Sequence, residues 1–340
     1  MTDEEPSGNS RPLVTIGIPV FNGAAYLEDA VRSAMNQTFT DLEIVVSDNA
    51  STDSTPAILE RLAGEDRRIR VFRNETNLGA APNYNRCHEE ARGVYFKWLA
   101  HDDRMKPGYL AAMIETLEAH PEAVLVNAIT DYIDDNGDRF ATYDSELRKA
   151  SGDDPVARFA EMVLRSHSCV DFFGVCRMEA LDGSLLHGPF HGADRAFLAQ
   201  MALRGRLLQV REPLIEMREH SQRYTRIQQK VRDREGWHDA RRKRGWNLPT
   251  WRLYGEYVKM VACERLTSGQ RLRAFAVLLR WWVSNWNAVR AGVDIVSLAF
   301  PGLPALAERV KIRIFGLAPG HYDLGNRDPV PGKDAVTGSR

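Results

Sequence analysis

The chain has 340 residues, enough for one large domain and a smaller appendage, and its 45 Lys and Arg nearly balance 46 Asp and Glu. A formal net charge of −1 provides no general attraction to a polyanion, so we expect no nucleic-acid partner. The four cysteines lack CxxC spacing and the polar N-terminus lacks an apolar signal-peptide core, which predicts a reducing, cytoplasmic location.

Strand-like apolar runs alternate with helical segments from Leu13 onward. The predicted strands cover 13–20, 42–48, 69–74 and 94–100, and the predicted helices between them cover 26–36, 54–63 and 81–92. Strands that alternate with helices of this length are typical of βαβ units. We therefore expect a parallel sheet with right-handed crossovers.

The next part of the chain predicts antiparallel additions to this sheet. After a helix over 107–119 and a strand at 123–129, the Asn136-Gly137 pair predicts a hairpin turn. Further segments are a helix over 155–165, a strand at DFFGVCRM (171–178), a helix that begins near Asp194, and extended chain over 207–220.

Composition changes after about residue 221. Lys and Arg are in excess over 223–252, and a tryptophan-rich segment follows at 274–300. No apolar run reaches the roughly 20 residues of a membrane-spanning helix. The tryptophans Trp281, Trp282 and Trp286 either pack against the preceding domain or give the chain a peripheral membrane contact at the inner face of the membrane.

The predicted domains follow from these boundaries. We expect a disordered leader over 1–12 and the α/β domain over 13–222. A helical, basic and Trp-rich extension should cover 223–318, and a Pro/Gly-rich disordered tail should cover 319–340.

The most informative motif is KWLAHDD (97–103), where an apolar run ends in two adjacent carboxylates. The carboxyl end of a parallel strand is where α/β proteins bind ligands, so Asp102 and Asp103 should lie at a binding edge. Adjacent carboxylates repel each other and favour a cation, and Mg²⁺ or Mn²⁺ takes one or two carboxylates together with substrate phosphates. The alternative is a solvated acidic turn in which one Asp caps the helix near Pro107.

Two other strand ends carry polar residues toward the same edge. They are Pro19-Val20-Phe21-Asn22-Gly23 and Ser47-Asp48-Asn49-Ala50-Ser51. Asp48 is suited to accept a hydrogen bond from a base imide or a ribose hydroxyl. Gly79, after the third strand, allows a left-handed turn or close approach of a ligand. Because neither G-x-G-x-x-G nor a Walker loop follows the first strand, dinucleotide and P-loop sites are disfavoured.

In series these segments resemble family-2 glycosyltransferases over about residues 13–225. The matching blocks are VTIGIPVFNGAAYLEDAVRSAMNQTFTDLEIVVSDNASTD, NLGAAPNYN, HDD before KPGYL, GADRAFL with RGR, and EMREHSQ. The resemblance implies an α/β fold of GT-A (Rossmann-like) type, with a mostly parallel central sheet and flanking helices, followed by the helical C-terminal extension. It also implies an inverting transfer of a sugar from a UDP-, GDP- or dTDP-sugar to a sugar or lipid-linked hydroxyl acceptor.

The resemblance assigns roles on the donor side. Pro19, Asn22 and Asp48 would contact the nucleoside, and Gly79 would lie under it. Asp102 would contact the ribose or the sugar. Asp103 would bind the divalent metal, Mn²⁺ or Mg²⁺, that bridges the diphosphate. Where many members carry a further Asp, this chain has Ala100, which leaves the donor's sugar open.

On the acceptor side, the resemblance makes Asp194 of GADR the catalytic base and His220 of REH a metal or diphosphate contact. Each has a simpler interpretation: Asp194 as a helix N-cap, His220 as a structural histidine. Arg218 would then pair with Glu216 or Glu219. Two other functions stay open for the whole chain: a non-catalytic scaffold of this fold, and a nucleotidyltransferase.

Overall fold

In a computed structural model, which describes residues 11–220, 237–240 and 248–300 with the single positions 303, 306, 310 and 313, four parallel strands begin a mixed sheet. They are β1 (Val14–Val20), β2 (Leu42–Asp48), β3 (Ile69–Arg73) and β4 (Tyr95–Trp98), in the order β3-β2-β1-β4. Every residue of β1 and β2 is buried, which explains why both strands are mostly apolar and not alternating. The buried polar residues Thr15 and Glu43 are hydrogen-bonded to each other. The predicted parallel half of the sheet is confirmed.

Helices cover both faces of these strands. The helices that connect them are α1 (Leu27–Met35), α2 (Thr55–Glu65) and α3 (Ala80–Glu89). α1 and α2 contribute to one hydrophobic core, and α3 contributes Cys87 to the core on the opposite face. The chain therefore forms three layers around the sheet.

The second half of the sheet contains the antiparallel pairs that the sequence predicted. Its elements, in chain order, are β5 (Arg104–Met105), α4 (Tyr109–Ala119), β6 (Ala123–Ile133), β7 (Arg139–Tyr143), α5 (Pro155–Leu164), β8 (Val175–Arg177), α6 (Met178–Leu181), α7 (Ala193–Arg204) and β9 (Arg206–Arg218). β8 joins β4 to β6 by antiparallel pairing on both sides. The hairpin between β6 and β7 turns at Gly137, whose φ is +88°.

One predicted strand is largely wrong. Of DFFGVCRM, only Val175–Arg177 is strand, whereas Val170–Phe173 is a 3₁₀ turn. The physical reason is Phe172, whose ring stacks on Trp98 with centroids 4.8 Å apart and also contacts Phe197. This packing turns the segment inward instead of extending it along the sheet.

Between residues 248 and 300 the described α-helices are α8 (Pro249–Cys263), α9 (Ser268–Trp281) and α10 (Asn287–Ser297). Tyr257, Ala274 and Trp281 belong to the same hydrophobic core as Phe159 and Phe197. The predicted extension therefore packs on the α/β domain through a shared core. Two of its tryptophans differ in burial: Trp281 is 2% exposed, whereas Trp286 is 64% exposed.

Some predictions concern residues outside the described part of the chain. They include most of the leader, most of the basic segment 223–244 and the whole tail 319–340. Within the described residues, no helix is both long enough and apolar enough to cross a membrane. Of the four cysteines, Cys87 and Cys176 are buried, Cys169 is half-buried and Cys263 is exposed.

Candidate active site

The carboxylates of Asp102 and Asp103 lie in the turn directly after β4. The amide of Leu99 donates to the carbonyl of Gly17 at 2.9 Å, which fixes the turn beside the end of β1. Asp103 is only 2% exposed. Neither carboxylate caps the following helix, because the N-cap of α4 is Gly108. The alternative of a simple capping turn is therefore wrong.

The end of β9 reaches these carboxylates. The amide of Arg218 donates to Oδ1 of Asp103 at 2.9 Å, and Nε2 of His220 lies 2.9 Å from Oδ2 of Asp102. Three side chains that the sequence predicted for one site, Asp102, Asp103 and His220, are thus brought together. They come from segments more than 100 residues apart in the chain, with separations of 115 and 118 positions in these two bonds.

A buried guanidinium, that of Arg218, holds this cluster in place. Its nitrogens donate to the carbonyls of Asp102 at 3.2 Å and of Asp134 and Asp135 at 3.1 Å each, and to Oδ2 of Asp29 at 3.0 Å. The guanidinium also lies 4.7 Å from the ring centre of Tyr26. The expected pairing of Arg218 with Glu216 or Glu219 is wrong, since its carboxylate partner is Asp29.

Tyr26 adds an aromatic wall to the same cluster. Its ring centre lies 4.8 Å from that of His220, and its hydroxyl donates to Asp135 at 2.7 Å. Burial, followed by the hydrogen bond to the Asp135 carboxylate, raises the pKa of Tyr26 to about 12. The phenol therefore remains a neutral hydrogen-bond donor at neutral pH.

The residues that the sequence predicts to contact the nucleoside lie at the ends of the neighbouring strands β1 and β2. Pro19 is buried in β1 opposite Ser47, whereas Asn22 is exposed just beyond that strand with φ of +50°. The amide of Asn22 donates to Ser51 Oγ at 2.9 Å, and the Ser51 amide donates to Asp48 Oδ1 at 3.0 Å. The structure thus links Asn22 to Asp48 through one serine.

Arg73 makes the second contact of Asp48. Its guanidinium pairs with Oδ2 of Asp48 and donates to the carbonyl of Ser51 at 2.8 Å. The Asp48 side chain is 1% exposed, whereas that of Arg73 is 48% exposed. The Asp48 carboxylate is therefore held in a fixed orientation by a guanidinium from the neighbouring strand end.

Gly79 has φ of +93°, as the glycine there led us to expect, and it precedes α3. Its carbonyl accepts from Asn49 Nδ2 at 3.1 Å, which ties the loop to the end of β2. A Cβ at this position would lie 2.8 Å from backbone atoms of Asp239 and Ala240. The glycine is therefore needed for close packing against residues 237–240, and its contact with a nucleoside stays a prediction.

The predicted base, Asp194, lies in the first turn of α7. The N-cap is Gly192, with φ of +88°, so the interpretation of Asp194 as the N-cap residue is wrong. Oδ1 of Asp194 accepts from the amide of Arg195 at 2.8 Å, and burial together with the charge of the nearby Asp194 carboxylate raises the pKa of the Cys169 thiol. These contacts are on the α7 side of the sheet, and none joins Asp194 to the Asp102–Asp103 turn.

A group of histidines next to Asp194 was not assigned from the sequence. The ring centres of His187 and His238 are 5.8 Å apart, and those of His191 and His238 are 6.5 Å apart. Burial lowers the pKa of His187 to about 4, while the nearby Asp194 acts in the opposite direction. His187 is therefore neutral at neutral pH. Only its short distance in sequence from GADR could have indicated it.

The donor set at the Asp102–Asp103 turn suits a hard divalent cation that is completed by a ligand. Within the described residues, no three His, Cys, Asp or Glu side chains form a metal site by themselves. Mg²⁺ and related ions commonly use one or two carboxylates and take their other ligands from phosphate and water. The adjacent carboxylates of Asp102 and Asp103 fit that requirement. Nε2 of His220 faces Asp102, so a metal contact of His220 stays a prediction.

Comparisons with known proteins show which family and which fold this chain is similar to. Residues 15–182 match the sequence model of the family described as Glycosyl transferase family 2. A protein of Campylobacter jejuni named GalNAc(5)-diNAcBac-PP-undecaprenol beta-1,3-glucosyltransferase is 29% identical over 189 residues, 54% of this chain and 57% of the relative. The hyaluronan synthase of Pasteurella multocida is 38% identical over 104 residues, 31% of this chain and 11% of that protein.

The crystal structure of S. aureus TarS 1-349 in complex with UDP-GlcNAc has a TM-score of 0.58 against this chain. The alignment has 14% identity and covers 79% of this chain and 72% of TarS 1-349. This likeness establishes the fold, and the predicted GT-A fold with C-terminal helices is confirmed. This chain spans only 57% and 11% of the lengths of the two sequence relatives.

Proposed function

Because residues 15–182 belong to glycosyl transferase family 2, we propose that this protein transfers a sugar from a nucleoside-diphosphate donor to a hydroxyl acceptor with inversion. The observation that carries the proposal is the Asp102–Asp103 turn at the carboxyl end of β4, held by Arg218 and His220. Binding of a diphosphate requires carboxylates that hold a cation, together with hydrogen-bond donors in fixed positions around them.

The donor side of the proposed site is divided between two strand ends. Asn22 and Asp48 would hold the nucleoside, since they are linked through Ser51 beside the end of β2. Asp102 would accept from a ribose or sugar hydroxyl, with its position set by His220. Asp103 and His220 would hold a divalent cation, which when bound neutralises charge on the leaving diphosphate.

Asp194 is our proposed general base. Direct displacement at the sugar carbon requires a carboxylate that accepts the proton of the attacking hydroxyl on the face opposite the leaving group. Asp194 meets the chemical requirement because it is a half-buried carboxylate at the start of α7, oriented by the Arg195 amide. Asp194 makes no contact with the Asp102–Asp103 turn, as expected if the base and the leaving diphosphate lie on opposite faces of the sugar carbon.

The acceptor class is the finer part of the proposal. The Campylobacter jejuni relative is named for an undecaprenol-linked acceptor. We propose that this protein also acts on a glycan or lipid-linked precursor of the cell envelope, with a UDP-, GDP- or dTDP-sugar as donor.

A panel of nucleoside-diphosphate sugars tests the proposal. We expect at least one donor to release its nucleoside diphosphate slowly in Mn²⁺ or Mg²⁺, and to release none in excess EDTA. Asp138→Asn, which changes an exposed carboxylate in the β6–β7 hairpin, is the matched control for the variants Asp103→Asn and Asp194→Asn. Tight donor binding without turnover on any acceptor would favour the non-catalytic scaffold, and incorporation of a nucleotide from a nucleoside triphosphate would favour a nucleotidyltransferase.

A further inference from the structure

Helix α10 is amphipathic in the opposite sense to an ordinary surface helix. Its buried positions include the polar residues Asn287 and Asp294, which are 4% and 8% exposed. Both have internal partners: Asn287 Nδ2 donates to the carbonyl of Trp281 at 2.8 Å, and Asp294 accepts from the amide of Thr250 at 2.8 Å. The polar side of the helix therefore serves to attach it to α8 and α9.

The apolar side of α10 is exposed, and large apolar residues are also exposed on α9 and in the segment after it. We define the outer face as the exposed large apolar residues Leu272, Leu279, Val283, Trp286, Val289, Ile295, Val296, Leu298 and Phe300. The three members on or just after α9 recur at intervals of seven and four residues, which places them on one side of that helix. Exposed apolar side chains in this number commonly indicate an interaction surface.

The charges of this segment all have one sign where they are exposed. Between residues 267 and 300 the charged residues are four arginines and Asp294, and Asp294 is buried. Arg273 pairs with Asp154 on α5, whereas Arg280 and Arg290 are exposed on the same helices as the outer face. A partner for this surface must therefore accept apolar side chains and tolerate, or attract, neighbouring cations.

We propose that the outer face is a peripheral binding surface for an anionic lipid bilayer. Apolar side chains and an exposed tryptophan enter the interfacial region, while arginines contact anionic headgroups. A second copy of this chain fits less well, because a symmetric contact through the same face would bring arginines of like charge together. This inference rests on the proposed function for its biological role. A lipid-linked acceptor would be presented to the enzyme at the membrane surface that the outer face binds.

Vesicle flotation with the full chain, without any sugar donor, measures this binding directly. At low salt we expect the protein to float with vesicles that contain anionic phosphatidylglycerol, and to float at least about tenfold less with neutral phosphatidylcholine vesicles. The double variant Val289→Ser/Ile295→Ser should reduce binding to anionic vesicles by about tenfold or more. The matched control is Val94→Ser, which changes an exposed valine of the α/β domain and should bind as the unchanged chain does.

The charge contribution is tested by Arg280→Gln/Arg290→Gln, which should weaken binding to anionic vesicles and leave the weak binding to neutral ones unchanged. A protein that stays in the soluble fraction with anionic vesicles at low salt overturns the proposal. So does a dimer, by light scattering, that Val289→Ser/Ile295→Ser abolishes, since a second copy would then cover the face. Neither readout depends on sugar transfer, so failure here is distinguishable from failure of the proposed function.

Discussion

The Asp102–Asp103 turn and the outer face both depart from the usual distribution, in which apolar side chains are buried and charged side chains are exposed. At the turn, charged and polar groups are buried, whereas on α9 and α10 large apolar groups are exposed. Buried charge is costly unless it is paired, and here Arg218, Asp29 and His220 supply the partners within the chain. For the outer face, the described residues supply no such cover. The first region thus has its partners within the described part of the chain, whereas for the second we propose a partner outside the chain.

The largest effect that we expect in the catalytic region comes from Asp194→Asn. Loss of the base should reduce transfer by about 10²–10⁴-fold, because the amide cannot accept the proton of the acceptor hydroxyl. Donor binding should persist, since Asp194 makes no contact with the Asp102–Asp103 turn. Steady-state rates with saturating donor, together with calorimetry of nucleotide binding, measure both quantities.

The same variant sharpens the comparison of the two regions. It should float with anionic vesicles as the unchanged chain does, because the outer face is untouched. Transfer at a near-normal rate would mean that another residue is the base.

The next effect in size is that of Asp103→Asn, which we expect to lower turnover by a factor of order 10² or more. The fold should be kept, because an amide oxygen can still accept from the Arg218 amide. Binding of UDP or GDP should depend on Mn²⁺ in the unchanged chain and lose that dependence in the variant. Equal affinities with Mn²⁺ and with excess EDTA in the unchanged chain would contradict a metal at this turn.

Much of the catalytic domain could be predicted because its signals are local. Mostly apolar runs predicted β1 and β2, Asn136-Gly137 predicted the hairpin, and GADR predicted the start of α7. The grouping of Asp102, Asp103 and His220 followed only from the family resemblance, since spacing alone does not bring residues 118 positions apart into contact.

What the sequence could not predict depends on partners from distant segments. Arg218 bonds to groups at 29, 102, 134 and 135, and nothing near it in sequence distinguishes these from its neighbours Glu216 and Glu219. Likewise, the sequence leaves open whether the tryptophan-rich segment packs against the preceding domain or contacts a membrane. Which of its faces is buried was decided by the internal partners of Asn287 and Asp294.

Arg218→Lys tests whether the turn is stabilised from within. A lysine retains the charge but cannot bond to three carbonyls and one carboxylate, so buried acceptors would lose their donors. We expect a loss of about 2–4 kcal/mol in the free energy of unfolding. Urea denaturation gives this value. A change below about 0.5 kcal/mol would mean that the network contributes little.

Lys97 is the buried cation beneath this region, and its charge is less well compensated. Its Nζ donates to the Phe173 carbonyl at 2.7 Å and lies 4.5 Å from the ring centre of Tyr109. Burial lowers its pKa to about 7, while the charge of Asp103 acts in the opposite direction and Cys176 adds a smaller effect in that direction. In the unfolded chain a lysine keeps its proton up to about pH 10.

Between pH 7 and about 10 the unfolded state therefore binds more protons at Lys97 than the folded state. Stability contributed by this residue should rise with pH across that window, by at most about 1.4 kcal/mol per pH unit. Lys97→Met removes the contribution, so the unfolding free energy of the unchanged chain should rise relative to that of the variant from pH 7 to pH 9. Parallel curves for the two proteins would contradict the depressed pKa.

We expect the smallest change in the free energy of unfolding from a substitution on the outer face, because an exposed side chain contributes little to the packed core. Trp286→Ala removes a side chain that is 64% exposed, so we expect a change of no more than about 0.5 kcal/mol in the free energy of unfolding. The matched change Trp281→Ala, five positions earlier and 2% exposed, should cost about 3–5 kcal/mol because it leaves a cavity in the shared core. Thermal and urea unfolding of the two variants separate a residue kept for packing from one kept for contact with a partner. If Trp286→Ala is as destabilising as Trp281→Ala, the outer face is held by contacts within the chain and the contrast with the Asp102–Asp103 turn disappears.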